Sequence, residues 1–337
     1  MKDTYARTNN ICLVIITMVT LAFALYITKP VLLPLIFSIF LYSIMTPMVH
    51  GLQNRLKLPR ALAILAAVLI LFLFLSLIVL VVTVSVDNFV QGAPKYKASL
   101  NESIEYLENQ MFLMDFDLDK VREALQSLPL FAYAQKATGQ LLSFMGNLFL
   151  VFIFTIFMMA GDNGERKKKP TSRLLGEILG KISSYISSKT SLSLITGFIV
   201  WLVLFSFNVE LAFIFGLLTV LLNFIPTIGS ILAVALPLPL VFLQYQFQWQ
   251  FFAVLILCGV TQFTVGNVIE PKIMGDTMDL HPITVLIGLM FWGLIWGIPG
   301  MFLAVPITAT LKIIFTRIEA TQPLAELLAG RIPSRSR

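Results

Sequence analysis

Polar residues interrupt an apolar stretch of the chain between Asn223 and Ser230, in the order Asn223-Phe-Ile-Pro226-Thr227-Ile-Gly229-Ser230. Pro226 removes a backbone donor and Gly229 permits unusual dihedral angles, so a helix is expected to break here. A break leaves backbone N–H and C=O groups unpaired. Together with the Asn223, Thr227 and Ser230 side chains, these groups can bind a polar solute or an ion. A plain cytoplasmic turn is the alternative interpretation.

A second group of polar residues begins inside the next apolar run, at Gln262. Polar side chains are costly in hydrocarbon and usually face a cavity or a partner. Glu270 can pair with Lys272 or carry a transported proton, and an interfacial ion pair that only sets topology is the alternative. We predict a binding site for a solute from the residues of both groups: Asn223, Pro226, Thr227, Gly229, Gln262, Asn267, Glu270 and Lys272. Glu270 and Asp276 are the candidates for proton or ion coupling.

The remaining sequence shows no recognisable catalytic motif. His50 and His281 are far apart, and neither HExxH, GxSxG nor a Walker motif is present. We therefore expect no catalytic residue, no metal site, no cofactor and no enzymatic activity. His281 precedes Pro282 and is interpreted as a helix-entry residue, with a proton switch as the alternative.

The composition is typical of a membrane protein, with 58% hydrophobic residues, 12% charged residues and a mean hydropathy of +0.88. Ten apolar segments follow one another along the chain, and several are short for a full span. The expected fold is an all-α polytopic membrane protein of about eight transmembrane helices plus re-entrant hairpins. Amphipathic helical inserts are expected on the external and cytoplasmic sides.

Basic residues are distributed unevenly between the two sides of the predicted membrane. With the N-terminus inside, 18 of the 24 Lys and Arg residues fall on the cytoplasmic side. This asymmetry follows the positive-inside rule and predicts that both termini are cytoplasmic. It also accounts for the net charge of +6 without a nucleic-acid partner. The run Arg166–Lys169 is expected to contact anionic membrane lipid.

Four long motifs in the second half of the chain resemble the autoinducer-2 exporter (AI-2E) family of multipass membrane proteins. They are LNFIPTIGSILA (Leu222–Ala233), GNVIEPKIMG (Gly266–Gly275), HPITVLIGLMFWG (His281–Gly293) and GMFLAVP (Gly300–Pro306). The resemblance covers nearly the whole chain. It implies a homo-oligomer, expected to be a pentamer with an elevator-like moving part, in the bacterial inner membrane.

The resemblance implies a secondary transporter that exports a small polar solute, with autoinducer-2 or a similar compound as the first candidate. An ion or solute gradient, with H⁺ or Na⁺ as candidate coupling ions, would drive it. A sodium/proton antiporter is the alternative within transport, and a non-transporting membrane scaffold is the alternative from another class.

We predict six consecutive parts of the chain. They are N-terminal transmembrane helices (1–86), an external acidic helical insert (87–146), a transmembrane helix (147–161), a cytoplasmic basic helical linker (162–192), a transport core with broken or re-entrant helices (193–318) and a cytoplasmic tail (319–337).

Overall fold

The computed structural model describes residues 2–91, 148–161, 170–274 and 278–331, and every regular element in these ranges is helical. The predicted all-α polytopic fold is therefore confirmed for this part of the chain. Most of the predicted external insert, the run Arg166–Lys169 and the last six residues of the tail lie outside the described residues. The α-helices are α1 (Lys2–Ile27), α2 (Lys29–Leu56), α3 (Arg60–Gln91), α4 (Leu148–Gly161), α5 (Pro170–Ser206), α6 (Ala212–Leu222), α7 (Ile228–Ala235), α8 (Leu238–Tyr245), α9 (Trp249–Thr264), α10 (Glu270–Met274), α11 (Pro282–Trp296), α12 (Ile298–Arg317) and α13 (Gln322–Leu328).

Six helical segments among the described residues are long and apolar enough to cross a membrane. They are Lys29–Leu56, Arg60–Asp87, Gly180–Ser206, Ile228–Tyr245, Trp249–Ile273 and Ile298–Arg317. Four shorter apolar helices accompany them. Large apolar side chains are widely exposed, among them Leu294 at 86% and Met290 at 74%. Such exposure suits lipid and not water, because soluble proteins rarely expose contiguous apolar patches of this extent.

The chain divides into two compact units. The first contains α1, α2, α4, the start of α5 and everything from α11 onward. In this unit α11 and α12 form a tight hairpin, since a Cβ added at Gly300 would lie 1.9 Å from the Trp292 carbonyl oxygen. The Trp296 indole donates a hydrogen bond to the Leu25 carbonyl oxygen at 3.0 Å, which joins α11 to α1.

The second unit contains α3, α5 from Ser187 onward, and α6 to α10. Its apolar core combines buried residues of α5, α6, α8 and α9, including Val200, Leu204, Val241, Val254 and Cys258. Both polar groups predicted to interrupt the apolar segments, Asn223–Ser230 and the group that begins at Gln262, lie in this unit.

Helix α5 differs from the sequence prediction. A cytoplasmic helical linker (162–192) followed by a separate transport core (193–318) is the prediction, but one helix runs through Pro170–Ser206. Neither Gly nor Pro occurs between Lys181 and Thr196, so nothing in the sequence interrupts the helix there. Lys189 consequently lies within a membrane-length segment, Gly180–Ser206, instead of a linker.

Candidate functional site

The first polar interruption forms a tight, non-helical connection between α6 and α7. Thr227 has φ of +62°, an unusual conformation for a residue with a β-branched side chain. The following turn is close, because a Cβ added at Gly229 would lie 1.8 Å from the Leu222 carbonyl oxygen. The Gly229 N–H donates to the Ile225 carbonyl oxygen at 3.0 Å. Only glycine fits here, and the connection holds Asn223 and Thr227 near each other.

The second interruption is a five-residue π-helical turn, Val265–Ile269, between α9 and α10. The helix does not end at this turn but continues through it to Met274. A proline inside an α-helix clashes with the carbonyl group four residues earlier, which for Pro271 belongs to Asn267. The π turn ends immediately before Glu270-Pro271 and relieves this conflict. Such turns are frequent at functional sites.

The two interruptions meet around one cavity of about 590 Å³. This volume lies in the range of small-molecule sites. A Cβ added at Gly266 of the π turn would lie 3.9 Å from the Ser230 hydroxyl oxygen of α7, which shows how closely the two regions approach. The lining residues are Lys189, Asn223, Pro226, Thr227, Ser230, Ile231, Val234, Ala235, Leu238, Gln262, Phe263, Gly266, Asn267 and Glu270.

Six of the eight residues predicted to bind solute line this cavity: Asn223, Pro226, Thr227, Gln262, Asn267 and Glu270. Of the other two, Gly229 shapes the turn behind the cavity, and Lys272 is exposed to the surroundings. Asp276 lies outside the described residues. The roles of these residues in binding or coupling stay predictions.

Glu270 forms an ion pair with Lys189 of α5. Lys189 is buried, whereas 28% of the Glu270 side chain is exposed. A buried ammonium group requires an opposite charge nearby, and Glu270 supplies it. Lys272 is the partner of Glu270 that the sequence predicts. Glu270 and Lys272 are two residues apart, and side chains at this spacing on a helix do not face each other. Lys189 of α5 is the ion-pair partner of Glu270 instead.

Close packing between α5 and α6 accompanies this arrangement. A Cβ added at Gly197 would lie 2.6 Å from the Gly216 carbonyl oxygen, and one added at Gly216 would lie 2.6 Å from the Trp201 Cβ. The absence of side chains at both glycines lets the two helices touch. The face of α5 that carries Lys189 also carries Ser193 and Thr196, and all three residues are buried.

Gln262 is the clearest unsatisfied polar group of the cavity. Its side chain is buried, and Nε2 has no hydrogen-bond partner among the described residues. A buried amide donor without a partner is destabilising, by roughly 1–3 kcal/mol. Asn267 donates from Nδ2 to the Phe263 carbonyl oxygen at 3.1 Å, so its amide oxygen stays available as an acceptor. The cavity therefore offers both a donor and an acceptor to a polar solute.

Sequence reasoning did not include Lys189 in the site, because it assigned this residue to the cytoplasmic basic cluster. The usable signal was the spacing of Lys189, Ser193 and Thr196, which places three polar residues on one face of a helix. His281 lies in the other unit, where it is the N-cap of α11 and its Nδ1 accepts a hydrogen bond from the Ile283 N–H at 3.3 Å. The helix-entry interpretation of His281 agrees with this geometry.

Comparison with known proteins identifies the chain's relatives. The sequence model described as "AI-2E family transporter" matches residues 15–320. The chain belongs to the AI-2E family. One relative in this family is the AI-2 transport protein TqsA of Escherichia coli (strain K12), which is 27% identical over 311 residues, covering 89% of each chain.

Two further relatives are each named "Putative transport protein". The one from Haemophilus influenzae is 27% identical and covers 88% of this chain and 90% of its own length. The one from Borreliella burgdorferi is 29% identical and covers 95% of this chain and 90% of its own length. Together with the six membrane-length helices, the AI-2E family assignment identifies a multi-pass membrane transport protein, and the relatives' names point to transport and not to catalysis.

Proposed function

We propose that this protein is a secondary transporter of the bacterial inner membrane that exports a small polar solute, driven by an ion or solute gradient. The observation that carries the proposal is the cavity of about 590 Å³ at which two interruptions of apolar helices meet. Irregular backbone at membrane depth is tolerated where it is covered by protein or lines a water-filled cavity. Transporters place their binding sites at such interrupted helices.

The charges of the cavity favour an uncharged solute. Among the described residues of its lining, Lys189 and Glu270 are the charged ones, and their opposite charges cancel. The remaining polar groups are the amides of Asn223, Gln262 and Asn267 and the hydroxyls of Thr227 and Ser230. These groups match a solute with several hydroxyls, because amides and hydroxyls can each both donate and accept hydrogen bonds.

Autoinducer-2, or a related furanone-diol, is the first candidate for the solute. The support is the printed name of the relative TqsA, an AI-2 transport protein. The mixed lining agrees with a compact polyol, since Ile231, Val234 and Phe263 supply apolar contacts for its carbon skeleton.

A sodium/proton antiporter is the second candidate, and Glu270 is the observation that favours it. An antiporter needs an acid that binds the transported cation, and Glu270 lines the cavity and is partly exposed. However, a sodium ion or a proton has to compete with the Lys189 ammonium group for this carboxylate. We therefore place solute export first, with Glu270 and Asp276 as the residues proposed for coupling.

The deciding experiment measures transport by the purified full-length protein in proteoliposomes. Autoinducer-2 uptake and efflux, sodium flux and proton flux are compared side by side under matched gradients. Saturable autoinducer-2 movement that depends on a gradient supports the first candidate. Sodium-dependent proton movement without autoinducer-2 movement supports the antiporter. Absence of all three in liposomes that contain correctly assembled protein leaves the scaffold alternative and contradicts the proposal.

A further inference from the structure

A second cavity, in the first unit, has a volume of about 610 Å³ and an excess of basic residues in its lining. Among the described residues, four basic side chains and the two carboxylates of Asp279 and Glu326 line it. The formal charges of these described lining residues sum to +2. The basic residues are Lys181, Lys312, Arg317 and Arg331.

Asp279 positions two of these cations. The buried Lys312 donates both to the Asp279 carboxylate and to its backbone carbonyl oxygen. Arg331 donates to the two carboxylate oxygens of Asp279 at 3.2 Å and 3.4 Å. Asp279 itself has φ of +45°, which is unusual for a residue other than glycine. One carboxylate thus holds two cations in place and cancels only one of their charges.

The sequence positions of the other two basic residues place this cavity at the membrane surface. Lys181 lies at the start of the membrane-length segment Gly180–Ser206, and Arg317 is the last residue of the segment Ile298–Arg317. Ends of membrane-spanning helices lie at the level of the lipid headgroups. Basic pockets between helices at this level bind phosphate-bearing headgroups.

We infer that this cavity binds the phosphate group of an anionic ligand, and that the ligand is the headgroup of an anionic membrane lipid. Arginine matches phosphate geometry through paired N–H donors, and the buried Lys312 adds a fixed point charge. The same chemistry would accept a soluble phosphate compound. The inference is independent of the proposed solute, because none of the residues of the solute cavity takes part.

The test uses a double variant that removes two exposed cations, Arg317→Gln with Arg331→Gln. The matched control, Arg55→Gln with Lys57→Gln, removes two exposed basic residues that do not line the cavity. Full-length proteins are equilibrated with equal amounts of phosphatidylglycerol and phosphatidylcholine. Native mass spectrometry then measures the ratio of the two lipids that each protein retains. A second measurement records thermal unfolding in phosphatidylcholine alone, with and without inorganic phosphate.

We expect the wild-type protein and the control to retain phosphatidylglycerol preferentially, and the cavity variant to lose about tenfold in this preference. If the natural ligand is soluble, inorganic phosphate stabilises the wild type and the control but not the cavity variant, and the lipid ratio does not change. An equal loss in both variants, or no effect of the cavity variant in either measurement, overturns the inference. Size-exclusion profiles establish that each variant is assembled.

Discussion

Lys189 and Glu270 form an ion pair across 81 residues of sequence, joining the long helix α5 to the start of α10. Both residues of this pair line the cavity at which the two helix interruptions meet. Lys189 is almost completely buried, so its positive charge requires the negative charge of Glu270 nearby. The pair is consequently both a structural element and the charged part of the proposed solute site.

Removing one partner of this pair should destabilise the protein more than removing both. Breaking a buried pair costs about 3–5 kcal/mol, and the partial exposure of Glu270 reduces this to roughly 1–3 kcal/mol here. We expect Lys189→Met to lower the thermal unfolding midpoint, and the double variant Lys189→Met with Glu270→Gln to restore part of it. Additive losses in the double variant would show that the two residues do not interact.

Glu270→Gln should abolish gradient-driven transport if Glu270 couples protons, because the amide keeps the shape of the side chain and removes its charge. The protein should still insert and assemble. Glu319→Gln is the matched control, since Glu319 is an exposed carboxylate that does not line the cavity. Proteoliposome flux under a pH gradient measures both variants. Undiminished flux through Glu270→Gln would remove Glu270 from the coupling mechanism.

Gln262→Met should weaken solute binding without weakening the fold. The substitution removes a buried amide whose Nε2 has no partner among the described residues, so stability should be unchanged or slightly higher. Loss of one hydrogen bond to the solute should raise the apparent KM about 3–10-fold. Gln250→Met is the control. Gln250 also lies in α9, its buried Oε1 lacks a partner within the part of the chain that the structure describes, and it is not among the lining residues of the cavity. Equal effects of both substitutions on KM would contradict the proposed role.

Gly229→Ala should destabilise the connection between α6 and α7, because the new Cβ would lie 1.8 Å from a backbone oxygen that cannot move away alone. Overpacking of this kind costs about 1–3 kcal/mol. Gly259→Ala in α9 is the control, since no atom lies within 4 Å of its added Cβ. It should stabilise the helix by about 0.5–1 kcal/mol. Gly229→Ala should therefore lower the thermal unfolding midpoint, and Gly259→Ala should raise it. Shifts of both midpoints in the same direction would contradict the tight turn at Gly229.

The charge distribution predicts that Ser103 faces the outside and Ser172 the cytoplasm. Single cysteines at these positions, in a background with Cys12→Ser and Cys258→Ala, test this orientation. A membrane-impermeant maleimide added to intact cells should modify only the cysteine at position 103. Modification at position 172 from outside would require the opposite orientation.

Much of the fold follows from the sequence, because hydrophobic length and polar interruptions are local signals. The ten apolar segments correspond to the six membrane-length segments and four shorter apolar helices of the described residues. The break at Pro226 and Gly229 was predicted from two residue types whose backbone behaviour is known. The meeting of Asn223 with Gln262 around one cavity was expected because each is a polar residue in an apolar environment.

Long-range pairing could not be predicted in the same way. The partner of Glu270 is set by how α5 packs beside the π turn. The spacing of Lys189, Ser193 and Thr196 indicates a polar helix face, but it does not identify Glu270 as the partner. The π turn Val265–Ile269 was not predicted either, since no local residue pattern specifies this wider helical turn. The contact of Asp279 with Lys312 also depends on tertiary packing, because 33 residues separate the two in sequence.

The cancellation of charge between Lys189 and Glu270 also has a consequence for the energetics of a transport cycle. Moving one elementary charge through a membrane potential involves roughly 2.3 kcal/mol per 100 mV. If Lys189 and Glu270 move together along the membrane normal, their opposite charges cancel and the movement involves no net electrical work. The electric field would then act only on the solute and the coupling ion. The electrical charge moved in each transport cycle would therefore equal the sum of the charges of the solute and the ion.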